Sequence, residues 1–415
     1  MYGRVRYRDW GRSAVPWSRP GSRALLLVLV VGVLAACASV ERRPVPADHS
    51  EIAQIPGIPD ARHWGDAPRP GLEDYLLTMR EQRLSSGGPD RVVLLALSGG
   101  ADDGAFGAGL LKAWSDAGDR PEFQLVTGVS TGGLSAPFAF LGPDYDADLK
   151  EVFSLPADRI FSERAWVNIL PKASAMDTLP LFEVISSYAD EALLEAVAAE
   201  AAKGRRLFVQ STNLDAQRPV IWDLTAIASS GAPEALDVFR KALLASASIP
   251  GAFPPVTFEV EADGESYDEI HADGGVISQD TVMASWLFRL DEIAAQVPDV
   301  ERAPLDIYVV RNGRVAPQHE GVQYDLITVV GRAASTMIKM SGLTDIYVGY
   351  LAAEAADANF YATWIGDDFT VPYSGPFDVD YMAALYDYGE KKLESGKAWS
   401  PLPPFLPSHV RATEP

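Results

Sequence analysis

Cysteine is nearly missing from this chain. Cys37 is the only one in 415 residues, so no intrachain disulfide can form. Histidine is scarce as well. The five, His49, His63, His271, His319 and His409, are scattered, and none forms a pair at the spacing of a zinc site. The expectation is no metal and no required cofactor. Positive charge is short: 35 Lys and Arg face 57 Asp and Glu, a net charge of −22. Without residues 1–36, which hold six Arg and one Asp, 29 basic and 56 acidic residues remain, a net charge of −27. Such a surface repels nucleic acid and anionic lipid head groups, so a nucleic-acid role is excluded. No lysine follows the last glycine of the first glycine-rich turn, which excludes a P-loop. No internal repeat is evident. The apolar run at residues 24–36 is too short for a comfortable membrane span. With 47% hydrophobic and 22% charged residues, the rest has an ordinary globular composition and enough length for a large core.

Two glycine-rich turns about thirty residues apart organise the chain. The first, Ser98-Gly99-Gly100-Ala101-Asp102-Asp103-Gly104, follows the apolar run from Val92 to Leu97 and leads into Leu110, Leu111 and Trp114 at helical spacing. The second, Gly128-Val129-Ser130-Thr131-Gly132, follows another apolar stretch and opens a second small-residue helix. Buried strand, glycine turn and helix, twice over, predict an α/β fold whose site lies at the carboxyl ends of the strands. The second turn fits G-x-S-x-G, which exposes a serine hydroxyl on a sharp strand-to-helix corner. By composition that pattern arises in about one chain in ten of this length, so its placement after an apolar strand carries the argument. Peptide N–H groups of Gly99, Gly100 and Ala101 are candidate donors to an oxyanion at the serine.

With those residues in view, the chain resembles the patatin-like phospholipase family. Four blocks in order carry the resemblance: the Ser98–Gly109 turn, Gly128–Gly132, Ala245-Ser246-Ala247-Ser248-Ile249-Pro250-Gly251-Ala252-Phe253-Pro254-Pro255, and Asp273-Gly274-Gly275. The resemblance implies a three-layer sandwich with a mainly parallel central sheet. It makes Ser130 the nucleophile, Asp273 its partner in a serine–aspartate dyad, and the Gly99–Gly100 loop with Ala101 the oxyanion hole. Gly104, Gly128, Gly132, Gly274 and Gly275 would support the motifs. It also implies a lipid or other acyl-ester substrate. Two positions depart from the family pattern: Ala101 stands where a third glycine is usual, and Asp103 where Arg or Lys is usual. Asp102 and Asp103 read as a solvated acidic loop. The Ser246–Pro255 block reads as support, since its prolines and small residues suit a stiff loop beneath the active-site turn.

Histidine is the competing partner for Ser130, because an α/β-hydrolase places Ser, Asp or Glu, then His along the chain. Only His271, His319 and His409 follow Ser130, and only His271 is well framed, two residues before Asp273. Two alternatives therefore stay open: a histidine-dependent esterase, and a catalytically silent lipid-binding envelope lipoprotein.

The domain plan starts with residues 1–36, an arginine-rich head and apolar run of signal-peptide form. They end in Leu34-Ala35-Ala36-Cys37, which resembles the lipobox of bacterial lipoproteins. That resemblance implies lipidation of Cys37, a bacterial cell-envelope location and, with Ala38 next, the outer membrane. Residues 37–90 read as a proline-rich tether with a short helix, residues 91–396 as the acyl-hydrolase domain, and residues 397–415 as a poorly ordered proline-rich tail. Residues 144–181, with Phe161 and Trp166, read as a cap over the site or a packed surface excursion. Helices are expected at 189–203, 232–245, 324–340, 345–359 and 379–394, the last capped by Asp378. Nothing in the sequence sets the oligomeric state.

Overall fold

The computed structural model describes residues 42–163, 176–296 and 302–406. The expected signal segment with Cys37, Trp166 and His409 lie outside these residues.

The parallel strands form because their apolar runs can be buried on both faces at once. In β2 (Val92–Leu97), Val93, Leu95 and Leu97 face one core, while Leu94 and Ala96 face the other. β2 lies between β3 (Leu125–Val129) and β8 (Leu305–Arg314), with β9 (Asn359–Ile365) beyond β8, and all four run parallel. On the other side β4 (Arg206–Asn213) continues the parallel set next to β3, and β5 (Arg218–Asp223) and β1 (Arg62–Trp64) close the sheet antiparallel. The hairpin of β6 (Val256–Ala262) and β7 (Glu265–Asp273) hangs from β4 through β7. Its alternating burial and its Asp263-Gly264 turn, with φ of 50° and 77°, are the marks of a tight hairpin.

Among the described residues, eight helices have ten or more residues: α1 (Leu72–Ser85), α2 (Gly104–Ala117), α3 (Thr131–Leu141), α4 (Leu179–Tyr188), α5 (Glu191–Ala202), α6 (Ala235–Ser246), α7 (Leu326–Ala355) and α8 (Val379–Glu394). Phe106 of α2, Phe138 of α3, Phe239 of α6 and Leu385 of α8 belong to one core, and Met79 of α1 with Ile346 and Ala352 of α7 to the other. Helices thus cover both faces of a mostly parallel sheet, the α/β three-layer arrangement expected from the sequence. Asp378 caps α8, its carboxylate accepting from the Tyr381 amide at 2.9 Å.

α2 and α8 cross so closely that glycine is required on both. A Cβ on Gly109 would stand 2.0 Å from the Tyr386 carbonyl oxygen, and one on Gly389 2.3 Å from that of Phe106. Backbone cannot yield as a side-chain tip can. Gly389→Ala is therefore expected to cost about 3 kcal/mol, the upper range for overpacking, read as a lower thermal midpoint. Gly331→Ala, where nothing lies within 4 Å, serves as the contrast and should be neutral or slightly stabilising.

Three expectations change. The proline-rich stretch is no tether from Arg42 onward. β1 pairs with β5, Ala53, Ile55, Ile58 and Ala61 enter the core, and Arg43 bonds Glu265 across to the hairpin. Its prolines suit a sheet-edge segment that donates few ladder bonds. Residues 397–406 of the tail pack on the domain: Ser400 exchanges both backbone bonds with Ala362, and Trp399 packs on Trp114 and Tyr308. The helices expected at 324–340 and 345–359 are one helix, α7, of 30 residues. Gly342, in the gap between the two expected helices, packs against Arg311: a Cβ there would come within 2.6 Å of the guanidinium carbon.

Candidate active site

β3 and β7 meet end to end along one edge of β4, and that junction builds the site. Val129, the last residue of β3, pairs with Gln210, and Asp273, the last of β7, pairs with the next residue, Ser211. One strand arrives parallel and the other antiparallel, so Ser130 and Asp273 are delivered to the same point from opposite directions.

Ser130 sits on the sharp corner between β3 and α3 at φ 54° and ψ −127°, a conformation that costs a non-glycine residue roughly 1–3 kcal/mol. Its neighbours make room for the corner: a Cβ on Gly128 would lie 2.3 Å from the Gly132 carbonyl, and one on Gly132 2.1 Å from the Leu97 carbonyl. The corner is held by Ser246, fully buried at the end of α6, whose hydroxyl accepts from the Ser130 amide at 2.9 Å. Two residues on, the Ser248 carbonyl accepts from the Asp273 amide at 2.9 Å. One short segment therefore fixes both candidate catalytic residues, a firmer form of the supporting role read from the sequence.

Asp273 is buried, and its Oδ1 accepts from the Gly275 amide at 2.7 Å. Burial raises its carboxyl to about 7, against the opposing pull of the Ser130 hydroxyl and the Gly275 amide. The Ser130 hydroxyl lies beside the carboxylate, yet Oδ2 has no partner at full hydrogen-bond geometry among the described residues. The two groups are adjacent and not yet aligned, as catalytic pairs often are before substrate tightens them. Gly274 leaves space for the strand junction, since a Cβ there would stand 2.5 Å from the Gln210 carbonyl.

The first glycine turn faces Ser130: a Cβ on Gly99 would lie 3.1 Å from the Ser130 Cβ, and one on Gly104 2.0 Å from Thr131 Cγ2. Its three expected donors are not equivalent. The Gly99 amide is already committed to the Gln279 carbonyl at 2.9 Å, so Gly99 leaves the candidate oxyanion hole and serves as spacer. No acceptor engages the amides of Gly100 and Ala101 among the described residues. Ala101 adopts φ 51° where the family pattern has glycine, a strain of roughly 1–2 kcal/mol. The Thr131 hydroxyl ties that residue to the serine corner by donating to the Ala101 carbonyl at 2.7 Å.

Asn312 and Arg311, at the end of β8, brace the turn and were not legible in the sequence. The buried Asn312 donates from Nδ2 to the Ser98 carbonyl at 2.9 Å and accepts from the Gly107 amide at 3.1 Å. Arg311 reaches the Gly99 carbonyl at 3.2 Å. Nor are Asp102 and Asp103 a solvated loop: Asp102 accepts from the Phe377 amide and Asp103 from the Tyr381 hydroxyl, each at 3.0 Å. Burial, reinforced by Asp102, lifts the Asp103 carboxyl to about 7.

His271 does not serve Ser130. Its ring is fully buried in the hairpin, with Nδ1 2.9 Å from the Ser211 hydroxyl and Nε2 3.0 Å from Glu269. Trp222 donates to the same Ser211 oxygen at 2.8 Å, which leaves that hydroxyl to donate to Nδ1 and the other ring nitrogen to donate to Glu269. Burial lowers the His271 pKa, while burial of Glu269 is outweighed by His271 and Arg62, which hold its carboxyl at about 2. His319 is exposed.

A narrow, almost wholly apolar pocket starts at Ser130, walled by Leu134, Ile160, Leu181, Ile185, Phe253 and Met382 among others. Ile160 and Leu181 come from the stretch expected to be a cap or a surface excursion, so that stretch lines the site.

Residues 95–286 match the family model of the patatin-like phospholipase. Among solved structures, the crystal structure of VipD from Legionella pneumophila is similar, at 14% identity and a TM-score of 0.36, over 74% of this chain and 67% of that one. Nothing among the curated proteins matches. The strand junction, the serine corner and the apolar pocket all fall within or against those matched residues: residues 95–286 form a patatin-like phospholipase domain, of a family of lipid acyl hydrolases in the general sense.

Proposed function

We propose that the protein cleaves carboxylic esters of lipids through a Ser130–Asp273 dyad and an acyl-enzyme. Ser130 Oγ attacks the ester carbonyl while its proton passes to the Asp273 carboxylate. The Gly100 and Ala101 amides hold the oxyanion, and the alcohol leaves with the proton returned by Asp273. Water, deprotonated by the same carboxylate, then releases the fatty acid. The observation that carries this reading is the serine on its strained corner, with a buried carboxylate beside it and an apolar pocket opening from it. The pocket suits an acyl chain, each buried CH₂ of which contributes about 0.8 kcal/mol. We propose further that Cys37 is lipidated and holds the domain at the bacterial cell envelope, on the outer membrane, a reading supported by Leu34-Ala35-Ala36-Cys37 after an arginine-rich head.

The test is treatment of the full chain with a fluorophosphonate probe and mapping of the adduct by peptide mass. The expected adduct is on Ser130, and it persists in His271→Asn, which loses stability because Ser211 and Glu269 lose a buried partner. No adduct on folded protein would sink the hydrolase reading. An adduct lost with His271 at intact fold would replace the dyad by a triad.

A further inference from the structure

The first half of α7 packs on neither core: Arg332 and Lys339 bond to residues 316–320, and its apolar side chains stay exposed. Of residues 321–340, excluding 327, all are exposed except Arg332 and Lys339, which are half-buried. The exposed side chains include Leu326, Val330, Met337, Ile338 and Met340, from 45% to 78% accessible. Packing starts only at Gly342, and Ile346, Ala352 and Ala353 then lie in the core. A helix this apolar on all sides, with no face packed on a core, is not stable in water by itself.

Its position follows from its anchor points. Gly342 lies over Arg311, and Asp345 accepts from the Gln279 amide at 2.6 Å, while the Gln279 carbonyl receives the Gly99 amide. These contacts are level with the glycine turn at the carboxyl ends of the strands. The later turns descend along the sheet, where Gly349 meets Val282 and Phe360. Residues 326–341 therefore project beyond the end of the sheet that holds Ser130, by about 24 Å at 1.5 Å per residue.

Charge narrows the occupant. Between Asp325 and Asp345 the sequence has Arg332 and Lys339 and no acid, in a chain with 57 acidic residues. Arg332 is paired with Glu320 at 3.0 Å, so the projecting segment is close to neutral. It is the kind of surface that approaches lipid without the repulsion the rest of the chain imposes. No described helix is long and apolar enough to cross a membrane, which fits a segment lying in the interface.

We propose that the projecting half of α7 inserts into the surface of a zwitterionic lipid bilayer and brings the mouth of the Ser130 pocket to its substrate. The proposal rests on the lipid-hydrolase reading for its purpose, and on the helix alone for its geometry. In the full chain carrying Cys37→Ser and Met337→Cys, an environment-sensitive fluorophore is attached at position 337. With phosphatidylcholine vesicles its emission shifts to the blue and is quenched by nitroxide-labelled lipid. An unshifted label on vesicle-bound protein, or no vesicle binding, overturns the proposal. Shielding without vesicles that grows with protein concentration assigns the helix to a second copy instead. In Val330→Asp with Met337→Asp, hydrolysis of vesicular ester falls at least tenfold relative to hydrolysis of a soluble short-chain ester. An unchanged ratio counts against insertion. If the unmodified chain cleaves neither ester, the hydrolase reading fails while the fluorescence still decides this one.

Discussion

Ser130→Ala is expected to lower ester hydrolysis by at least three orders of magnitude with the fold intact. Removal of a nucleophile that works as a unit with its base and oxyanion donors abolishes their joint contribution, and what survives comes from binding and the remaining donors. Alanine keeps the strained corner as serine does, so its thermal midpoint should stay close to that of the parent. Ser130→Gly offers a sharper reading. Glycine adopts φ 54° freely, so this variant should be equally inactive yet more stable, by about 1 kcal/mol or more. Kinetics on a soluble short-chain ester, with thermal unfolding beside them, check both. A glycine variant less stable than the alanine variant would show that the corner stores no strain. Retained turnover in either variant would remove Ser130 as the nucleophile.

The serine corner was legible because its signal is local: an apolar strand, two glycines at fixed spacing and a helix lie within a dozen residues. Asp273 was legible only through the resemblance. Its position depends on the register that sets it against Ser211, one pair beyond Val129 and Gln210, and no window of sequence contains that fact. Asn312 was missed for the same reason, and Ser246 was legible only as part of a supporting block, not as the acceptor of the Ser130 amide. Each acts on a residue more than 100 positions away, and neither has a composition that separates it from other small polar residues. The Gly99 amide could not be discounted from sequence, because its acceptor is the distant Gln279 carbonyl. Local signals also misled. Proline density read as a tether although Ile55, Ile58 and Ala61 belonged to a core. Residues 341–344 read as a gap between two helices although α7 runs through them, with Gly342 packed against Arg311.

Asp273→Asn should lower turnover by about 10²–10⁴-fold, the range for loss of a positioned general base, and it should also change how the protein answers to pH. The carboxylate is the active form, and burial raises its carboxyl to about 7. In the parent, kcat/KM should therefore fall about tenfold per pH unit below 7 and level off above it. Stability runs the other way. A folded pKa raised from 3.8 to about 7 means that the folded state holds the proton more tightly than the unfolded chain. The stability this group contributes is complete below about pH 4 and is lost as pH rises through 7, a change on the order of 4 kcal/mol for a fully buried carboxyl. An amide in its place carries no such proton, so Asp273→Asn should be more stable than the parent at pH 8 and lose that advantage by pH 4. Asp103, also raised to about 7, titrates over the same range and could be mistaken for the base. Asp103→Asn separates them: it should leave the midpoint of the rate profile in place, whereas the residual activity of Asp273→Asn should lose that midpoint. A profile that follows Asp103 and ignores Asp273 would move the titrating group to the glycine turn and leave the dyad without its base.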